Sequence, residues 1–276
     1  MPAVRSRWLV RFGYDGSGYD GWARQPGRRT VEGEILRRLA GSSGGAAPVL
    51  EVASRTDRGV SARANALGLW SSLDGPILLR RLNAISPDLY FTAAVRIPSE
   101  FRVRAAHSRI YRYWDRSPEG APGAWRAAAA ELRGSIDARS FGRGLPQEAP
   151  RLVPIESIRV RRVGCGRMIE VRARSFVWGM VRKIVGAMRS HAAGRLTLGR
   201  LAAAAAGHSP LSLPMAEAEG LVLWDVRYPI RWSVRWAGPN RYQWTRWEEE
   251  ERDEWVRHRV RSAWTGHHRP VGPSDG

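Results

Sequence analysis

The order in which strand-like and helix-like segments follow one another leaves this chain few folds. Trp8, Val10 and Phe12 alternate with Leu9, Arg11 and Gly13, the period of a strand. Asp15-Gly16-Ser17-Gly18 breaks it, and a loop runs on through Gly21 and Pro26-Gly27. Thr30 reads as the N-cap of a helix reaching Leu39, with Val31, Ile35, Leu36 and Leu39 on one face. Residues 48–53 and 62–71 read as strands, 77–84 as a short helix and 89–97 as a strand. Strand, helix, strand, strand, helix, strand is the plan of a split β-α-β unit of ferredoxin type.

A rougher copy of that plan follows, without any repeat of sequence. Residues 109–114 alternate as a strand, with Ile110, Arg112 and Trp114 on one face and Arg109, Tyr111 and Tyr113 on the other. A loop at 120–123 precedes a helix over 124–133. Segments 155–163 and 168–174 read as a hairpin around Gly164-Cys165-Gly166. A helix over 176–192 carries Val177, Val181, Ile184, Val185 and Met188 on its apolar face. A helix over 197–206 and a strand over 221–226 complete the copy. The division is therefore 1–104, 105–230 and an extension, 231–276. In the extension Trp232, Trp236, Trp244, Trp247, Trp255 and Trp264 alternate with arginine, ahead of and around an acidic run at 248–251. It reads as a helix from about 245 to 264 packing on the body, with an RNA-stacking appendage as the alternative.

Charge narrows the partners. The 276 residues hold 45 Lys+Arg against 26 Asp+Glu, a formal charge of +19. Such a field attracts nucleic acid in a salt-dependent way, and an anionic membrane surface is the competing partner. No apolar run approaches the roughly 18 residues that span a bilayer. Arg5, Arg7 and Arg11 interrupt the amino-terminal apolar stretch, so it has no signal-peptide layout. Lys183 is the only lysine, and arginine forks bidentately onto phosphate and stacks on bases. Cys165 is the sole cysteine, which excludes an intrachain disulfide and a cysteine-based metal cluster. The histidines are scattered apart from His267-His268, and no metal site is expected.

Four segments carry candidate chemistry. Tyr14 to Trp22 is a glycine-rich loop at a strand end; its spacing is neither GxGxxG nor Walker, and by itself it marks a tight turn. Ser54-Arg55-Thr56-Asp57-Arg58-Gly59-Val60 puts one carboxylate between two arginines; this reads either as an acid that works on a polyanion or as a solvated surface ion pair. Arg109-Ile110-Tyr111-Arg112-Tyr113 interleaves aromatics with arginine, which suits base stacking beside phosphate binding, and equally suits an ordinary exposed strand. In Phe176 to Gly186, Arg182 lies near an apolar helix face, where an arginine must snorkel outward or meet a carboxylate. Asp57 is the expected partner.

Taken in order, these segments resemble the tRNA pseudouridine synthase A family. Tyr14 to Gln25 is similar to its Tyr-Asp-Gly-Ser…Gly-Trp-x-x-Gln segment, and Arg55 to Val60 to its Arg-Thr-Asp-x-Gly-Val loop. Leu82-Asn83-Ala84…Pro87-Asp88, Phe101-x-x-Arg104…Tyr111-Arg112-Tyr113, Phe176…Met180-Val181-Arg182-x-Ile184-Val185-Gly186 and Ala218-Glu219-Gly220-Leu221 resemble four more of its motifs. The likeness covers about residues 5–229. Departures are Ser54 where the family has glycine, Arg58 and Ser61 beside the aspartate where it has alanine and histidine, and Trp178-Gly179 at a His-His-like pair. The extension has no counterpart.

The resemblance implies an α+β fold of two ferredoxin-like halves joined in a continuous mixed, mainly antiparallel sheet flanked by helices. It implies conversion of uridine to pseudouridine in the anticodon stem-loop of tRNA, around positions 38 to 40, without cofactor or metal. Asp57 takes the place of the essential nucleophile or base, attacking C1′ or removing the 2′ proton. Arg182 is its ion-pair partner, favouring the ionised form, and Tyr111 is the tyrosine that stacks on uracil and helps remove the C5 proton. Arg55 is the wedge that fills the space a flipped base vacates. Thr56, Tyr14, Arg58, Arg104 and Arg112 join it as substrate-binding residues. Further implications are a homodimer sharing one tRNA, a cytoplasmic setting and no membrane partner. A catalytically inactive RNA-binding relative and a general basic nucleic-acid-binding protein are the alternatives.

Overall fold

A computed structural model describes residues 5–39, 49–84, 88–117, 120–145, 151–164 and 166–235. The first six elements are β1 (Ser6–Tyr14), α1 (Val31–Leu39), β2 (Glu51–Val52), β3 (Ser61–Ser71), α2 (Gly75–Leu82) and β4 (Leu89–Arg96). Their strands lie in the order β4-β1-β3-β2, every neighbouring pair antiparallel. The second set is β5 (Ser108–Asp115), α3 (Pro122–Glu131), β6 (Gly134–Asp137), α4 (Ala138–Phe141), β7 (Leu152–Val163), β8 (Gly166–Ala173), α5 (Met180–Ala192), α6 (Leu198–Ala205) and β9 (Leu221–Arg227). It runs β9-β5-β8-β7, with β6 outside β7, again antiparallel throughout. Each half thus shows its fourth, first, third and second main strand in that order, the split β-α-β arrangement.

The halves meet where β9 runs parallel to β3, pairing Ser61 with Val222 and Ala62 with Leu223. This is the one parallel pairing among the described strands, and it makes a single mixed sheet of ten. A short β10 (Val234–Arg235) closes the outer edge of β4.

Burial keeps the expected apolar face of β1 but is not confined to it, since Leu9 and Gly13 on the other face are buried as well. In β1, Trp8, Val10, Phe12 and Tyr14 are all buried, and the Phe12 ring lies 5.7 Å from both Trp22 and Phe91. Thr30 caps α1, its hydroxyl accepting from the Gly33 N–H at 3.2 Å. Leu36 is only half-buried; Arg38 takes a core position instead, giving its guanidinium to the Leu82 carbonyl at 2.6 Å and to Glu34.

Some boundaries differ from the sequence reading. The strand expected over 48–53 pairs only at Glu51–Val52, because the chain turns there into the Asp57 loop. The helix expected from 176 begins at Met180. Gly179 stands at φ +74, a left-handed conformation that an α-helix cannot propagate through, so Phe176, Val177 and Trp178 precede the helix. The 134–141 stretch carries β6 and α4, too short for periodicity to announce. Cys165, the His267-His268 pair and all of the extension from 236 onward lie outside the described residues.

One close approach sets up the site. Gly186 of α5 lets the chain at Pro214 lie on the helix; a Cβ there would come within 2.0 Å of the Pro214 carbonyl oxygen. The 213–216 segment therefore runs alongside the first turns of α5.

Candidate active site

The loop between β2 and β3 sits at the seam and is held by the glycine-rich segment after β1. Trp22 N–H donates to the Thr56 carbonyl at 3.0 Å and Gly59 N–H to the Tyr19 carbonyl at 3.4 Å. Gly16 passes so near Val60 that a Cβ would come within 2.2 Å of its carbonyl oxygen. Gly59 turns the loop at φ +79, where Val60 N–H reaches back to the Asp57 carbonyl at 3.2 Å. The segment that alone reads as a tight turn is the buttress of the acidic loop.

Below the loop is a hydroxyl pair. The Tyr14 and Thr56 oxygens lie 2.7 Å apart, both residues buried. Burial raises the Tyr14 phenol well above its ordinary value. The folded state keeps this proton while an unfolded chain loses it above about pH 10, so stability is lost as pH rises through the alkaline range. Tyr14→Phe is expected to cost about 1–2 kcal/mol at neutral pH, since the Thr56 hydroxyl loses its partner. Its melting temperature should then fall less steeply than the parent's above pH 10, which thermal denaturation across pH 7–11 measures.

Asp57 opens into a cavity of about 570 Å³ between the halves, lined also by Ser54, Arg55, Thr56, Arg104, Arg109, Tyr111, Phe176, Trp178 and Arg182. Its Oδ2 accepts from Arg182 Nη1 at 3.0 Å, and its Oδ1 from Trp178 Nε1 at 2.5 Å. Arg182 is aimed by the segment Gly186 admits: its Nε donates to the Ala216 carbonyl at 2.7 Å, while Ala216 N–H donates to the Arg182 carbonyl at 3.0 Å. Tyr111 comes from β5, buried, its hydroxyl 2.8 Å from Ser54 Oγ and its ring edge-on to Phe176 at 5.2 Å. Burial raises its phenol above the ordinary value, with Asp57 adding to the effect and Ser54 and Arg109 opposing it, so it is neutral at physiological pH.

This arrangement is a carboxylate, its guanidinium partner and an aromatic phenol around one cleft in a strongly basic protein. A family model described as tRNA pseudouridine synthase matches residues 128–229. A protein of Pyrococcus horikoshii named tRNA pseudouridine synthase A is 36% identical over 225 residues, covering 79% of this chain and 84% of its own length. Proteins of the same name from Chlorobaculum tepidum and Methanothermobacter thermautotrophicus are 35% and 32% identical, the match covering 78% and 82% of this chain and 95% and 82% of theirs. The chain belongs to the tRNA pseudouridine synthase A family.

The family motifs named above converge only in part. Asp57, Tyr111, Arg182, Arg55, Thr56 and Arg104 line the cavity. Arg55 and Arg104 are exposed at it, and Thr56 is buried beneath. Tyr14, Arg58 and Arg112 do not line it. Tyr14 lies under the loop, and Arg58 is exposed with its Nε 3.4 Å from Asp20. Arg112 follows Tyr111 by one residue, so the strand turns it to the opposite face. There it pairs with Glu170 at 2.8 Å and lies 3.9 Å over the Trp224 ring, engaged away from the cleft.

Two residues of this family member escape motif reading. Arg109 is buried, and its guanidinium donates to the carbonyls of Ala53 (2.7 Å) and Arg104 (2.8 Å), which line the cavity, and to that of Arg174, next to the lining residue Ser175, tying these three segments together. Its signal was available: two residues before Tyr111, it shares that face of the strand. Trp178 gave no such signal, because its reach to Asp57 depends on the helix starting late.

Proposed function

We propose that this chain isomerises uridine to pseudouridine in tRNA, with Asp57 as the group that acts on the ribose. Membership of the family supports the reaction and the substrate class. The observation that carries the residue assignment is the Asp57–Arg182 pair at 3.0 Å in a cleft shared with Tyr111.

The reaction breaks the C1′–N1 bond, turns the uracil, joins C5 to C1′ and releases the C5 proton, N1 gaining one in exchange. Asp57 either attacks C1′, to be displaced when C5 bonds there, or removes the 2′ proton; both need an ionised carboxylate held against desolvation. The Arg182 guanidinium, 3.0 Å from Oδ2, is the cation paired with it. Tyr111 faces the uracil as an aromatic platform, and its neutral hydroxyl takes the C5 proton as its own proton passes to Ser54 Oγ and on to solvent. Reaching the base costs a few kcal/mol of unstacking. Arg55, exposed beside Asp57, fills the vacated stack, while Arg104 at the cavity edge takes phosphate without reading sequence. The uridines modified are those around positions 38 to 40 of the anticodon stem-loop, and two copies of the chain share one tRNA.

The test uses tRNA carrying tritium at uracil C5. Tritium release to solvent, followed by mapping of pseudouridine to positions 38 to 40, is the expected result. Tight tRNA binding without release would overturn the enzymatic reading. Release with pseudouridine mapped elsewhere would overturn the site choice alone.

A further inference from the structure

Asp57 is gripped at both oxygens by donors of very different constraint. Arg182, which holds Oδ2, is itself pinned through Nε to the Ala216 carbonyl. Trp178, which holds Oδ1 at 2.5 Å, is 54% exposed. It stands before α5 rather than on it, next to the left-handed Gly179. Its backbone is anchored, because the Trp178 carbonyl accepts from Arg143 N–H at 2.9 Å. Its ring is not locked in a core. The Arg143 guanidinium lies 4.9 Å from one ring centroid, and Gly144 lies so close beneath that a Cβ there would approach ring carbons at 3.0 and 3.2 Å.

A carboxylate that attacks C1′ or takes a 2′ proton needs an oxygen with a free lone pair facing substrate. Oxygen tied in a short charge-assisted bond is a weaker nucleophile and base. Of the two oxygens, Oδ2 is tied to a fixed donor and Oδ1 to a movable one, which lines the same cavity. We propose that Oδ1 is the reacting oxygen and that Trp178 is its movable cover. The indole holds Oδ1 in the empty cleft and yields it as the uridine nucleotide enters. The change is a side-chain rotamer change, fast for an exposed residue, and the Arg143 contact travels with the ring. This inference rests on the proposed function, because it names the oxygen through which Asp57 acts.

Under it, entering substrate must break the indole bond, so removing that bond eases binding without slowing chemistry. Wild type, Trp178→Phe and Trp178→His are compared for tritium release at limiting and saturating tRNA, at pH 8, after melting temperatures are matched. Trp178→Phe keeps an aromatic ring and loses the donor; its KM should fall about 3- to 10-fold, up to 1.4 kcal/mol, with kcat unchanged or higher. Trp178→His keeps a ring N–H and should stay within about twofold of wild type. A lower kcat with unchanged KM in Trp178→Phe would make Trp178 a fixed support and overturn the cover. Unchanged kcat and KM would overturn it as well.

A second arm needs no turnover. Asp57→Asn blocks turnover, and its single amide oxygen can accept from the indole or from Arg182. The fluorescence difference between that variant and Asp57→Asn/Trp178→Phe isolates Trp178. On adding tRNA this difference should be quenched or shifted, and an unchanged difference in the tRNA-bound state defeats the cover. Absence of tritium release by wild type would defeat the proposed function, while the fluorescence arm would still judge whether Trp178 moves.

Discussion

Asp57→Asn should lose on the order of 10³- to 10⁴-fold in kcat or more, the range for removal of a group that acts directly on the reacting bond. The substitution is nearly isosteric. The amide oxygen can still accept from Trp178 or Arg182, and the loop is held by backbone bonds from Trp22 and Gly59 that the change leaves alone. Melting should therefore stay within about 2 °C of the parent, since a partly exposed ion pair adds little net stability. Binding of tRNA should survive, because phosphate contacts lie with the surrounding arginines. Single-turnover tritium release and filter binding on the same preparation separate the two. Release within tenfold of wild type would end the assignment of Asp57.

The second large effect concerns stability. Arg109→Ala removes a buried guanidinium and leaves the Ala53, Arg104 and Arg174 carbonyls without that donor. Burial lowers the Arg109 pKa, so its charge stays under a desolvation cost even with the three carbonyls in place. The Ala53 carbonyl is buried and costs about 1–3 kcal/mol when left unsatisfied, the two part-buried carbonyls cost less, and the void left by the side chain adds to that. We expect a total loss of about 3–5 kcal/mol, which for a chain of this size lowers the melting temperature by roughly 6–15 °C. Activity should fall with it even well below the melting point, since Ala53, Arg104 and Arg174 carry neighbouring parts of the cleft. Differential scanning fluorimetry gives the first quantity. A shift under 2 °C would show that Arg109 does not tie the walls together.

The two-half plan was readable because each long strand and helix repeats its apolar positions over several turns of its own period, as Val10 and Phe12 do in β1 or Ile184 and Val185 in α5. What could not be read was short or conditional. The β6–α4 stretch spans too few residues to show a period. The start of α5 depends on the backbone conformation of one glycine. Within the site, Asp57 and Arg182 could be paired on sequence because a carboxylate amid arginines and an arginine near an apolar helix face each call for a partner. Arg112 looked equivalent to its neighbours until strand alternation turned it toward Glu170 and Trp224. Trp178 was legible only as a departure from the family's pattern, since its reach to Asp57 is a matter of where the helix begins.

The strand that stitches β3 to β5 is also the last long one among the described residues. A nascent chain stopped before Leu221 already contains the acid, the phenol and the guanidinium, yet lacks the piece that brings the two ferredoxin-like units into register. Each unit can begin to fold on its own local contacts, but the two are joined in one sheet only once Leu221–Arg227 is present, whatever the order in which the rest forms.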